Sequence, residues 1–422
     1  MSGPGSEYSQ EFFTARKEEI NFVLKAVEEW ARRPRGRAIR FTGPKGSGKS
    51  WLLCEIRRRL QESFPAIAVR HLILGEDRPC QEAFYLPPSR LGEYQAAHTA
   101  DILSYLAEPL GLSDLPVPID ERSSFLEERY ACSGRPPVLL VDGVDELPLE
   151  FALNYLEQYV LGPFLKVGAL VVLGGRLPKS TETWASIALR GAEERVLSPF
   201  GPPEAEEQLQ KRGFPLPVSV GDIVQRGSGY PLANLLLAEE LRAGKTWGEA
   251  LRAVADRFLQ SVPPSARGDF QDLCILAGFN VEEMAELLSR PPGDCRLRLN
   301  EFLATRLVRW EGEERDVEMG PGESLQVGKE YVMDEAVRRV LEESLRENDP
   351  AHWQALHRAA FNLYEGWAEK YPSNRWQQRQ DYHRKRFPPL SGSGSTEVHG
   401  QKSHANEEEK RWNGLYPMPV SG

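Results

Sequence analysis

Eight consecutive residues have the types and spacing needed to hold a polyphosphate: Gly43-Pro44-Lys45-Gly46-Ser47-Gly48-Lys49-Ser50. The glycines allow dihedral angles that turn successive backbone N–H groups toward one anion. The Lys49 ammonium is then expected to contact the β and γ phosphate oxygens, and the Ser50 hydroxyl is expected to be a Mg²⁺ ligand. Trp51, which follows directly, is included among the nucleotide-binding residues. The pattern predicts a site for a nucleotide phosphate tail.

A carboxylate at the end of an apolar segment is the second candidate for chemistry. The run Val138–Val141 is entirely apolar and leads into Asp142, which is expected to hold Mg²⁺ through a water molecule. Asp145 and Glu146 follow, and either carboxylate could orient or deprotonate an attacking water. The sequence does not decide between them, because one of the two could instead cap the helix that starts near Pro148.

Alternating strand and helix patterns are expected to position these residues. Strands are predicted at 38–42, 66–74, 138–142 and 169–174, with a weaker one at 195–199. Amphipathic or helical patterns lie at 11–33, 49–61, 92–110, 120–130 and 149–165. Such alternation is typical of a parallel sheet with helices on both faces, which binds ligands beyond the carboxyl ends of its strands.

The strand signal fades after residue 203. Helices are predicted at 204–212, 232–243, 246–261, 267–277 and 280–289, and short strands are predicted around the acidic, Gly-rich turn 311–322. We therefore expect a mobile leader (1–10), a nucleotide-binding domain (11–203), a helical lid (204–290), a winged-helix-like domain (291–346), C-terminal helices (347–386) and a disordered tail (387–422).

Composition excludes several classes of protein. The 422 residues carry a net charge of −10, which does not favour nucleic acid or an anionic membrane as the main partner. We find neither a signal peptide nor a membrane-spanning segment, so we expect a cytoplasmic protein. Five cysteines occur without CxxC spacing, which predicts reduced thiols rather than a zinc site or a disulfide framework.

Two basic segments have a structural and a functional interpretation. Residues 375–386 mix arginine, lysine and histidine with aromatic residues, so contact with a phosphate backbone is one interpretation. A solvated helix end is the favoured one. Arg57-Arg58-Arg59 is expected to lie mostly on the exposed side of its helix.

His352 and His357 are spaced i and i+5, which makes them a poor metal pair.

The string Leu140-Val141-Asp142-Gly143-Val144-Asp145-Glu146-Leu147 resembles the second signature of NACHT-type NTPases, which belong to the STAND class of signalling ATPases related to AAA+ proteins. The resemblance implies an α/β P-loop NTPase fold, with a parallel sheet, helices on both faces, a helical lid and a winged-helix-like domain. It also implies that the chain binds ATP or ADP with Mg²⁺.

Four further segments match the same class in order. Phe13–Ile20 resembles the N-terminal motif with Arg16, although Ala15 stands where the family usually has Gly. Val171–Arg176 resembles the strand that ends in a sensor arginine, and Gly229–Leu232 resembles the motif whose proline, here Pro231, packs near the nucleotide. Tyr331–Asp334 is similar to the winged-helix segment that closes over ADP. It lacks the histidine that relatives often carry between Met333 and Asp334.

The resemblance implies a slow ATPase that acts as a switch. ADP would hold a closed form, and ATP would open it for self-association or for a protein partner that supplies the sensor or effector. The alternative is an AAA+-like DNA loader or initiator whose winged helix contacts DNA. A small-metabolite kinase ranks last, since it leaves 204–386 unexplained. Adenine is expected over guanine only because no guanine-reading motif is apparent.

Overall fold

The computed structural model describes residues 7–75, 80, 83–87, 94–147, 151–175, 184–213, 218–310, 315–318, 324–327, 330–370 and 374–386. Most of the predicted leader (1–6) and the whole predicted tail (387–422) lie outside these ranges, as does Arg176. Among the described residues, no helix combines the length and apolarity needed to cross a bilayer.

A six-stranded parallel sheet forms the centre of the N-terminal part. Its strands are β1 (Arg37–Thr42), β2 (Val69–Ile73), β3 (Phe84–Tyr85), β4 (Val138–Asp142), β5 (Leu170–Gly174) and β6 (Glu193–Val196). The order is β3-β2-β4-β5-β1-β6, and every pair is parallel. The predicted parallel sheet is confirmed. The short edge strand β3 was absent from the sequence prediction because two residues give no periodicity.

Helices cover both faces of this sheet. On one face α1 (Lys17–Arg32) and α2 (Lys49–Ser63) share a core with strand residues such as Ile39 and Leu140. On the other face lie α3 (Gln95–Ala107), α4 (Ile119–Ser133) and a π-helical stretch (Ala152–Leu161) that continues into α5 (Gly162–Lys166). Neighbouring strand residues alternate between the two cores, as the two-residue period of a strand requires.

The first helix begins later than the pattern predicts. The periodicity indicates 11–33, but only a 3₁₀ turn forms at Gln10–Phe12 and α1 starts at Lys17. Ala15 and Arg16 have φ values of 58° and 60°, in the left-handed region that no helix can contain. The prediction was wrong here because hydrophobic spacing does not report backbone handedness.

The C-terminal part is mostly helical. After the short α6 (Ile187–Arg190), it contains α7 (Pro202–Lys211), α8 (Val220–Arg226), α9 (Pro231–Arg242), α10 (Trp247–Phe258), α11 (Arg267–Asp272), α12 (Val281–Leu288) and α13 (Pro292–Ala304). Strands β7 (Val308–Trp310) and β10 (Tyr331–Met333) pair antiparallel, with the hairpin β8 (Arg315–Glu318) and β9 (Ser324–Val327) between them in the chain. Three helices complete it: α14 (Glu335–Asn348), α15 (Pro350–Lys370) and α16 (Asn374–Arg384).

One hydrophobic core runs through this whole C-terminal part. It includes Leu237 of α9, Leu251 of α10, Phe302 of α13, Val340 of α14 and Tyr364 of α15. The segments predicted as lid, winged-helix-like domain and C-terminal helices therefore pack as one body around a common interior.

The basic segment 375–386 is largely engaged inside this body. Arg379 contacts the carboxylates of Glu283 and Glu330, and Arg375 Nη2 lies 2.9 Å from Glu330 Oε1. His383 is 2% exposed, whereas Arg384 and Lys385 face solvent. The segment 375–386 is therefore not simply a solvated helix end. Arg375, Arg379 and His383 attach α16 to the C-terminal core.

Candidate nucleotide-binding site

The loop between β1 and α2 has a shape that only glycine permits at two positions. Gly46 has a φ of 78°, and a Cβ there would lie 2.7 Å from Leu232 Cβ. Gly43 has a φ of 157°, and its Cβ would lie 2.8 Å from Ser47 Oγ. Side chains at these positions would fill the loop or strain it. The loop is therefore a tight turn whose shape depends on these two glycines.

The helix that follows presents its N-terminus to this loop. Gly48 is the N-cap of α2, with a φ of 94°, and no side chain among the described residues caps this 15-residue helix. Backbone N–H groups of the first turn are thus available to an anion, which the helix dipole also favours. Lys49 Nζ donates to Gly43 O at 2.7 Å and to Pro44 O at 3.0 Å, which places its charge on the loop. This donor set fits a polyphosphate.

Ser50 and Asp142 come together beside the loop. The Ser50 hydroxyl donates to the Asp142 carboxylate, which is 4% exposed at the end of β4. Burial raises the pKa of Asp142, and the Ser50 hydrogen bond and the Lys49 charge oppose that rise. A hydroxyl and a buried carboxylate next to a phosphate cradle are the oxygen ligands that Mg²⁺ prefers.

Asp145 and Glu146 diverge although they are adjacent in sequence. Both lie in a 3₁₀ turn at Val144–Glu146. A Cβ added to Gly175 would lie 2.7 Å from Asp145 Oδ1, so this carboxylate faces the end of β5. Glu146 is directed away, and its Cγ would lie 3.4 Å from a Cβ on Gly75. Asp145 is thus the carboxylate on the side of Asp142. Burial is the main cause that raises the pKa of Asp142, and the negative charge of Asp145 raises it further.

The order of the strands places these groups at one edge of the sheet. β5 lies between β1, which leads into the phosphate loop, and β4, which ends at Asp142. The loop, Ser50 and the acidic turn therefore meet beyond the carboxyl ends of the strands, where parallel sheets bind ligands. The fold is that of a P-loop NTPase. It combines the predicted parallel sheet with a helical C-terminal part.

No family model matches this P-loop NTPase sequence, and no curated protein does. Among solved structures, a STAND protein with a tetratricopeptide repeat sensor from Pyrococcus horikoshii aligns over 90% of this chain at 15% identity, with a TM-score of 0.30. The alignment covers 49% of that protein, so this chain spans about half its length. The ADP form of the ORC2 protein from Aeropyrum pernix aligns over 83% of this chain and 97% of that one, at 11% identity and a TM-score of 0.46.

The ORC1 protein from Aeropyrum pernix, solved in complex with DNA, is also similar. It aligns over 80% of this chain and 93% of that chain, at 17% identity and a TM-score of 0.41. At these identities and TM-scores the similarities carry no conclusion about function.

Arg16 binds the backbone of the phosphate loop through its side chain. Its guanidinium donates to Ser47 O at 3.0 Å and to Ser198 O at 2.8 Å, and it lies 4.9 Å above the Phe200 ring. Burial lowers the pKa of Arg16, while Glu19 acts in the opposite direction. Arg16 therefore joins the loop to the segment that leads out of the sheet, and it is a positioning residue rather than a surface charge.

Two other predicted residues also lie at the loop. Pro231 occupies the first turn of α9, and the next N–H, that of Leu232, donates to Gly46 O at 3.2 Å. The Trp51 ring contacts Tyr8 edge-on, and the Arg212 guanidinium lies 5.4 Å from the Trp51 ring centroid. Arg176, the predicted sensor, lies outside the described residues.

Besides Leu232, two charged residues of the C-terminal body contact the site. Asp334 Oδ2 accepts a hydrogen bond from Lys45 N at 2.7 Å, while Asp334 Oδ1 accepts one from Val337 N at the start of α14. Arg306 Nη1 donates to Asp145 O at 3.2 Å and lies 3.8 Å from Glu146 Oε2. Sequence reasoning missed Arg306, since a single arginine after a helix carries no motif.

Proposed function

We propose that this chain is a Mg²⁺-dependent ATP/ADP switch of the STAND type, in which the C-terminal body opens and closes over the phosphate loop. The observation that carries the proposal is the hydrogen bond from Lys45 N to Asp334. A buried residue of the C-terminal body, 2% exposed, thereby contacts the nucleotide-binding loop itself. Closure of this kind links the occupant of the loop to the position of the whole body.

The residues of the loop have separate roles in this proposal. N–H groups from Gly46 to Ser50 and the Lys49 ammonium bind the phosphates, and Ser50 with Asp142 would hold Mg²⁺. When bound, Mg²⁺ neutralises phosphate charge. Asp145 orients the attacking water, because it lies on the side of Asp142. Glu146 instead pairs with Arg306, and Arg176 remains the proposed sensor.

Charge explains how ATP and ADP would differ. In the closed form the Asp334 carboxylate lies at the loop that encloses ADP, and the additional negative charge of a third phosphoryl group there raises the energy of the closed contact. ATP carries one phosphoryl group more than ADP and therefore favours the open form more strongly. Hydrolysis removes that group and allows closure. Slow turnover suits this role, because a switch needs long-lived states.

The deciding experiment is the identity of the nucleotide released when freshly purified protein is denatured. Wild-type protein is expected to release ADP, and Lys49→Ala is expected to release none, since that variant lacks the phosphate-binding ammonium. Lys25→Ala, which removes an exposed lysine of α1, is the matched control and should retain ADP. An empty wild-type site that binds ATP and ADP equally, with no change in small-angle scattering, would contradict the switch.

A DNA-associated ATPase remains the alternative. The segment 375–386 gives it little support, because Arg375, Arg379 and Arg386 all pair with acidic residues of the C-terminal body. ATPase assays with and without duplex DNA separate the two functions. Salt-sensitive stimulation by DNA would favour the alternative.

A further inference from the structure

Two cysteines and a histidine meet below the nucleotide site. The ligand atoms of Cys54, His71 and Cys80 all lie within 4.8 Å of one another. Cys54 is 2% exposed on α2, His71 is fully buried on β2, and Cys80 is half-buried. The three residues are distant from one another in the sequence and do not form a metal-binding motif. The spacing of the cysteines alone therefore predicts no such cluster.

The fold itself directs these side chains to one point. His71 pairs with Leu140 in register, and Leu140 belongs to the core that packs against α2. His71 therefore faces α2 as well. Cys54 follows Ser50 by four residues, so it lies one turn below Ser50 on the same face of the helix.

His71 lacks the partners that a buried imidazole normally has. Within the described part of the chain neither Nδ1 nor Nε2 has a nitrogen or oxygen partner, although the side chain is fully enclosed; the group that interacts with the ring is the Cys80 thiol. Burying a polar ring without partners is costly, and such groups in native proteins usually have a ligand. A metal ion would satisfy one nitrogen directly.

We propose that Cys54, His71 and Cys80 form a binding site for a soft divalent metal ion of the zinc class. Thiolate sulfur and imidazole nitrogen are the ligands that Zn²⁺ prefers, whereas Mg²⁺ prefers the oxygens of Ser50 and Asp142. Two thiolates and a neutral histidine balance the charge of one divalent ion, so the buried cluster becomes neutral. Three protein ligands leave a fourth position for water or another donor.

Arg57 supports the anionic form of one ligand. Its Nη1 lies 3.1 Å from Cys80 Sγ and it is 8% exposed, which corrects the prediction that the run 57–59 lies mostly on the exposed side. A guanidinium that donates to a ligating thiolate is a common outer-shell contact.

The site would join α2 to β2 directly beneath the phosphate loop. Asp142 interacts electrostatically with both Cys54 and His71, so the two sites are close, although their ligands differ. A bound metal would fix the base of α2, the helix whose N-terminus faces the phosphates. Metal loading is thus a structural property, independent of which reaction the nucleotide site performs.

Metal content of the full chain tests the proposal. The reduced protein is loaded with Zn²⁺, dialysed against metal-free buffer and measured by mass spectrometry of the metal, with Co²⁺ absorption as a second readout of thiolate ligation. Wild type is expected to hold about one equivalent. Cys80→Ser and His71→Asn should each lose most of the bound zinc. Cys80→Ser should disturb the fold less than His71→Asn, because Cys80 is half-buried. Cys132→Ser, which alters an exposed cysteine, should retain it.

Several outcomes would overturn the inference. Wild type that takes up no zinc, or Cys80→Ser that holds as much as wild type, excludes the site. A Cys54–Cys80 disulfide in the isolated protein, with no zinc uptake after reduction, would identify a redox pair instead. Binding of fluorescent ADP is measured on the same samples. It separates a failure of the proposed metal site from a failure of the proposed nucleotide switch. Thermal unfolding identifies any variant that fails to fold.

Discussion

A hydrogen bond of 2.7 Å joins Lys45 N to Asp334 Oδ2 across 289 positions of sequence. One partner lies in the phosphate loop and the other caps α14 in the C-terminal body. This contact makes the closed arrangement sensitive to whatever the loop binds. Substitutions in the nucleotide site and in the C-terminal body are therefore expected to have different effects.

Asp334→Asn should loosen closure while leaving the C-terminal body folded. The amide keeps an oxygen for the α14 cap, but its NH2 group cannot accept the hydrogen bond that Lys45 N donates. We expect ADP to dissociate about tenfold faster, a coupling of ~1.4 kcal/mol. Stopped-flow release of fluorescent ADP measures this.

The control for this change is Asp349→Asn, in the turn before α15. An unchanged ADP release rate in Asp334→Asn would show that the contact does not restrain the nucleotide. Asp334→Ala is less informative, because loss of the cap adds a stability cost of about 1 kcal/mol.

Asp145→Asn and Glu146→Gln should separate the roles of the two acidic residues. Asp145 lies on the side of Asp142, so its neutralisation should lower kcat for ATP hydrolysis about 100-fold or more. Glu146→Gln should leave kcat within about threefold, because Glu146 faces Arg306. Single-turnover hydrolysis measures both. Equal losses, or the reverse order, would refute the assignment.

Arg16→Ala should destabilise the loop from below. Removal of the guanidinium leaves the carbonyls of Ser47 and Ser198 without these donors, at a cost of about 1–3 kcal/mol. Urea unfolding should report that loss, and ADP affinity should fall with it. Lys17→Ala, at the exposed neighbouring position, should change neither quantity. Wild-type stability in Arg16→Ala would mean that the loop does not need this brace.

Acid should destabilise the C-terminal body through a buried histidine pair. His357 Nδ1 lies 2.7 Å from His383 Nδ1, and burial lowers the pKa of both, although Glu342 opposes the shift at His357. The unfolded chain then binds more protons below about pH 6.5, so stability is complete above that pH and falls as pH decreases toward the native pKa values.

The expected loss is about 1.4 kcal/mol per pH unit for each histidine in that window. Urea unfolding at pH 7.5, 6.5 and 5.5 measures the slope. His357→Gln with His383→Gln should flatten it, whereas His352→Gln, at the more exposed contact with Asp272, should not. An equal slope in the double variant would assign the acid sensitivity to other groups.

Motif-bearing residues were predictable and isolated contacts were not. The phosphate loop and Asp142 could be found from sequence, because glycine spacing and an apolar strand are local properties. The Arg306 contact and the Cys54–His71–Cys80 cluster could not, since each depends on how distant elements pack. Local sequence also could not separate Asp145 from Glu146. Their divergence depends on the 3₁₀ turn and on glycines at the ends of neighbouring segments.

The common interior of the C-terminal part has a mechanical consequence. Helices α7 to α16 cannot rotate separately without exposing the apolar side chains that they share, so any opening motion carries all of them together. Residues 197–201, between β6 and α7, connect this body to the sheet. An opening at the loop therefore displaces α16 as well, because Arg379 of α16 contacts Glu283 and Glu330 of the same body.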